Sequence, residues 1–99
     1  MNRNVWLDTG RSGLIRADSV VRLWSSRLGV LAAIDEDRKY ALYRGALGDD
    51  RDREATVMSL LTLLEELSRS VGCFIVHAAA NKAGVVWQVE QVRPSVMSS

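Results

Sequence analysis

The sequence predicts an α+β fold: an antiparallel sheet in the order β-β-β-β-α-β-β, with one long amphipathic helix packed on one face. Two observations carry that prediction. Between Asp50 and Val71 the apolar residues recur at three- and four-residue steps, the period of a helix face. On either side, short β-branched and aromatic runs alternate with the turn clusters DTGRSG, DEDR and NKAG, as half-buried strands do.

Val5–Asp8 reads as the first strand, closed by Thr9-Gly10-Arg11-Ser12-Gly13 as a turn. Residues 14–17 and 19–25 continue as strand, with Ala17-Asp18-Ser19 as a kink between them. In the second piece Val21 and Leu23 share one face, while Val20, Arg22 and Trp24 share the other. Residues 29–34, GVLAAI, are apolar on both faces, and DEDR turns the chain back into Lys39–Arg44. The pattern of this half is an antiparallel meander.

The helix runs from Asp50 or Asp52 to Ser70, its apolar stripe made of Val57, Leu60, Leu61, Leu64, Leu67 and Val71. Asp49, Asp50, Asp52 and Glu54 gather at its start, where the helix dipole favours negative charge. Arg69 and Gly72 supply the stop. A hairpin follows, residues 73–80 and 85–92 flanking Asn81-Lys82-Ala83-Gly84, with Gly84 free to take a positive φ. Trp6 and Trp87 are expected in the core. The whole chain, 1–99, is expected as a single domain with frayed tails at 1–4 and 94–99.

Charge excludes little but is unevenly spread. Net charge is +1, yet residues 1–48 hold eight Lys and Arg against five Asp and Glu, and residues 49–72 three against six. Eleven arginines stand against two lysines, a bias that GC-rich coding produces and that suggests a bacterial or phage host. One cysteine, Cys73, allows neither an internal disulfide nor a cysteine zinc site. The first residues carry no apolar run of signal-peptide length, and no run approaches the ~18–20 residues that cross a bilayer. The expectation is a cytoplasmic protein that does not engage membranes.

Four motifs bear on chemistry. Leu7–Asp8–Thr9–Gly10 resembles the catalytic motif of retroviral-type aspartic proteases, whose chains are of about this length. That resemblance implies a homodimer in which two Asp8 carboxylates share one proton. It covers four residues only: Arg11 stands where that family has Ala or Ser, only seven residues precede Asp8, and the family's second signature is absent. Gly10–Arg11–Ser12–Gly13 has the G-x-x-G form of a KH clamp or a phosphate nest, but it joins strands rather than helices. Gly48–Glu54 clusters acids without the glycine of a calcium loop, so capping explains them. His77, the only histidine, shares a strand face with Cys73 and Ile75, about 13 Å from that cysteine and out of reach for a shared metal. The expectation is a half-buried histidine hydrogen-bonded to its neighbours, with no catalytic residue, metal or cofactor.

Function is therefore expected to lie in binding. One helix covers one face of a sheet, yet residues 30–34 and 73–80 are apolar on both, so the second face needs cover from a curled sheet or another chain. The sequence points to a non-catalytic module acting by protein–protein contact, with itself as a homo-oligomer or with another protein. Trp24 with Arg22 is the leading surface feature, joined by Arg11, Arg16 and Arg44. The alternative is a nucleic-acid-binding regulator using an Arg/Trp sheet face.

Overall fold

Alternation along Val5-Trp6-Leu7-Asp8 buries the first and third side chains and leaves the second and fourth half-covered. The computed structural model describes residues 4–82 and 84–92. Among them, seven strands and one α-helix follow in chain order: β1 (Val5–Asp8), β2 (Leu14–Arg16), β3 (Arg22–Ser26), β4 (Gly29–Ala33), β5 (Lys39–Arg44), α1 (Asp50–Ser68), β6 (Cys73–Asn81) and β7 (Gly84–Val92). The α+β class and the place of the helix are those that the sequence predicts.

The strands divide between two sheets, one ordered β2-β1-β6-β7 and the other β3-β4-β5. The three-stranded sheet is the expected antiparallel meander. In the four-stranded sheet β1 is antiparallel to β2 but parallel to β6, with Val5 beside Phe74, Trp6 beside Ile75 and Leu7 beside Val76. Where the sequence suggests a kink, a 3-10 turn at Ala17–Ser19 carries the chain from one sheet to the other.

Both sheets share one core. Val5, Leu7, Phe74 and Val76 line the inner face of the four-stranded sheet. They join Leu60, Leu64 and Leu67 of α1 and Val30, Ala32 and Leu42 of the second sheet in one buried cluster. Each Val, Leu or Phe side chain among them, when fully buried, contributes about 1.5–3 kcal/mol. The helix starts as the acids suggest: the Asp49 carboxylate accepts from the Asp52 N–H, and Asp50 and Asp52 occupy the first turn. From β7 Trp87 packs against this core and donates its Nε1–H to the Thr56 carbonyl, 3.0 Å away.

Several side chains depart from expectation for local reasons. The helix ends at Ser68, so Val71 falls in the following turn and is 93% exposed, while Leu61 at the margin of the stripe is also exposed. Because β3 begins only at Arg22, Val21 is exposed and Val20 packs inward, the reverse of the alternation expected there. Asn4, expected in a frayed tail, is tied down. Its side-chain amide donates to the Ser70 and Gly72 carbonyls, and its own carbonyl accepts from Phe74. The remaining tail positions, 1–3 and 94–99, lie outside the described residues.

Candidate functional site

α1 and the second sheet contribute to the core on the inner face of the four-stranded sheet, and the strand registers define what stands on the other. Reading across β2, β1, β6 and β7, one row is Arg16, Trp6, Ile75 and Glu90. The next row holds Leu14, Asp8, His77 and Gln88, with Cys73 and Val92 at one end of the face and Ala79 and Val86 at the other. Leu14 is 46% exposed and Val86 and Val92 are each 39% exposed, while Trp6 and Ile75 are half-buried. This face, open to solvent, sets apolar side chains around a polar centre and carries Arg16, Glu90 and Gln88 at its edges.

At that centre Asp8 Oδ2 lies 2.8 Å from His77 Nδ1. Asp8 is the last residue of β1, and the parallel pairing of β1 with β6 brings His77 alongside it. The other carboxylate oxygen of Asp8 accepts the Gly10 N–H at 2.7 Å. These contacts hold the Asp8 carboxyl below the ordinary carboxylate range, the Gly10 N–H contributing most and His77 next. With Nδ1 engaged by the carboxylate, the second ring nitrogen of His77 has no protein partner among the described residues. An imidazole oriented in this way can accept or donate one further hydrogen bond.

The loop after Asp8 is built to hold this arrangement. Gly10 and Gly13 have φ of 71° and 81°, in the left-handed region that glycine enters without strain. Thr9 is buried, and its hydroxyl donates to the Gly13 carbonyl. The G-x-x-G stretch thus forms the strand-ending turn the sequence suggests, and its Gly10 N–H already serves a carboxylate of the same chain. Asp8 has a histidine and a backbone N–H as partners, where the protease resemblance implies a second carboxylate.

The five surface residues singled out in the sequence fall in three places. Arg22 stacks on Trp24 with its guanidinium 4.5 Å from the ring centre, on β3 of the three-stranded sheet. Trp24 is half-buried and lines a shallow cleft with Asp50, Arg53 and Val57 of α1. Arg11 and Arg44 meet at a second cleft, beside Tyr43 and Ala78. Arg16 alone stands on the open face of the four-stranded sheet, 6.0 Å from the Trp6 ring centre and paired with Asp18 at 3.0 Å. Trp6, expected in the core, is half-buried beneath it.

Sequence reasoning placed Asp8 and His77 separately and did not join them, because the contact depends on a parallel pair between the first and sixth strands. Leu14, Ile75, Val86, Glu90 and Val92 were likewise not recognised as one surface. Among the described residues no three His, Cys, Asp or Glu side chains group as a metal cage requires, and no helix is long and apolar enough to cross a membrane. No protein-family model, curated protein or solved structure matches this chain.

Proposed function

We propose that the protein is a small non-catalytic interaction module, and that its binding surface is the open face of the four-stranded sheet. The observation that carries this reading is the composition of that face: Trp6, Leu14, Ile75, Val86 and Val92 lie around the Asp8–His77 pair, with Gln88 beside it and Arg16 and Glu90 at opposite edges, on a sheet covered from the other side. Exposed apolar side chains gathered on one sheet face mark a contact surface. Aromatic and aliphatic side chains around a few oriented polar groups are the usual make-up of the centre of an interface. The setting that goes with this proposal is the cytoplasm of a bacterial or phage-infected cell, where the exposed Cys73 stays reduced.

Light scattering tests the proposal. The wild-type chain of 11.0 kDa is expected to run above monomer mass at high concentration, alone or with its partner. Leu14→Glu and Val86→Glu, both at exposed positions, are expected to abolish that association while leaving the circular dichroism unchanged. Association untouched by both substitutions overturns the assignment of this face.

The nucleic-acid reading draws less support. It needs arginines and aromatics side by side on one surface. Here Arg16 with Trp6 and Arg22 with Trp24 belong to different sheets, and Arg11 with Arg44 to a third place. Its signature would be affinity for DNA or RNA that falls steeply with salt.

A further inference from the structure

From the charges on the open face and their strand positions we infer that its occupant is a second copy of this chain, related by a two-fold axis running along the strands between β1 and β6. The inference rests on the proposed interaction face and adds the identity and register of the partner.

The argument starts from one row. Arg16 stands on β2 and Glu90 on β7, at opposite edges of the sheet and at the same height. Three strand spacings separate them, about 14 Å, so neither can reach the other within one chain. Among the described residues no cation pairs with Glu90, while Arg16 keeps donors free beyond its single bond to Asp18. Between these two charges lie only Trp6 and Ile75. A face with a guanidinium at one edge, paired to Asp18 but with further N–H donors, and an unpaired carboxylate at the other can meet itself when turned over.

The direction of the axis follows. Two sheets packed face to face lie about 10 Å apart with their strands nearly aligned. Turning a copy about an axis along the strands exchanges the two edges and keeps every height. Arg16 then faces Glu90 of the second copy, and the converse pair forms across the axis. Trp6 comes to lie over the second copy's Ile75, and Asp8 over its His77. The unengaged ring nitrogen of His77 thereby meets a carboxylate, which meets the requirement that polar groups at an interface centre be partnered. An axis across the strands instead sets Arg16 over Leu14 and Glu90 over Gln88, pairing no charges.

The size of the patch sets the strength. β6 and β7 have nine residues each, but β1 has four and β2 three, so the face is about 19 Å wide and reaches about 30 Å only along its β6–β7 half. That is about 400 Å² a side, smaller than a standard specific interface, so the dimer is weak and concentration-dependent.

The test is charge reversal read by sedimentation equilibrium on the full chain. Arg16→Glu and Glu90→Arg are each expected to raise the dimer dissociation constant by about tenfold or more, and the double variant to restore it to within about threefold. Both positions are exposed, so the single variants fold, and circular dichroism verifies this. Cys73, the only cysteine, supplies a second reading. The axis puts the two Cys73 α-carbons at one height and about 11 Å apart, within the span of a short bis-maleimide. A covalent dimer is expected from it. If Leu14→Glu dissociates the dimer but charge reversal has no effect or the double variant is no better than the singles, the axis falls and the interaction face stands. A dimer that persists without Cys73 linkage overturns the axis as well. A chain that is monomeric at millimolar concentration overturns the second-copy inference, and a foreign partner abolished by Leu14→Glu then keeps the face.

Discussion

Asp8 and His77 stand 69 positions apart in the chain and meet at 2.8 Å, carboxylate to imidazole, across the parallel seam between β1 and β6. The pair is half-buried, and Gly10 secures its carboxylate from the other side.

That geometry fixes a pH dependence. The folded Asp8 carboxyl titrates below its unfolded value of 3.8, so its contribution to stability is present above that pH. It is lost as pH falls through the depressed folded value. Asp8→Asn is therefore expected to lower the urea midpoint at pH 7, and that difference to shrink steadily as pH is taken below 3.8. A gap between variant and wild type that stays constant over that range would show that ionisation of Asp8 does not stabilise the fold.

Leu60 has no exposed surface and sits where α1 meets the core. Leu60→Ala leaves a cavity that a helix held between two sheets closes poorly, and about 3–4 kcal/mol of stability is expected to be lost. Leu61→Ala, one residue along and exposed, is expected to cost less than about 1 kcal/mol. Equal losses in chemical denaturation would mean the helix is rotated from the face described.

Glycine is required at position 29 by contact as well as by conformation. Its φ is 145°, and a β-carbon there would overlap the Tyr43 carbonyl on the neighbouring strand. Gly10 has φ of 71° with open space around it. Gly10→Ala is expected to cost about 1–2 kcal/mol, the strain of the left-handed region alone. Gly29→Ala should exceed it by about 1 kcal/mol or more, since backbone must move. Thermal melts of the two variants compare them directly.

Asp49 caps α1 by accepting from the Asp52 N–H at 3.0 Å. Asp49→Ala is expected to lower stability by about 1 kcal/mol, and Asp49→Ser to recover most of it. An alanine variant as stable as wild type would assign the start of the helix to the neighbouring acids.

The helix was legible apart from its last turn because its signals are local: a 3.6-residue stripe, an acidic cap and a glycine stop all lie within some two dozen positions. The hairpins were legible for the same reason, each joined by a short polar turn. Division into two sheets was not, since the turn at Ala17–Ser19 differs little in sequence from a kinked strand. The Asp8–His77 pair was hidden more deeply. Alternation tells which face a residue takes but never which strand lies beside it, and no local pattern distinguishes the β1–β6 pairing from its alternatives. Arg22 over Trp24 was predictable from the two-residue period, whereas the exposed faces of Leu14, Val86 and Val92 became one surface only when β2 and β7 were placed at opposite edges.

The seam between β1 and β6 also orders events in time. Every other strand pair joins neighbours in the chain and closes a short loop, whereas Val5 must wait for Phe74. Pairings of such long range are slow, because the entropy of the intervening chain is given up before any contact is gained. The hairpin of β1 and β2 therefore spends the early part of folding with one edge of β1 bare, and a bare edge is a template for other strands. The meander of β3 to β5 and the helix can form from local contacts in that interval. The closure that brings aspartate to histidine is therefore the strand pairing of longest range in the molecule.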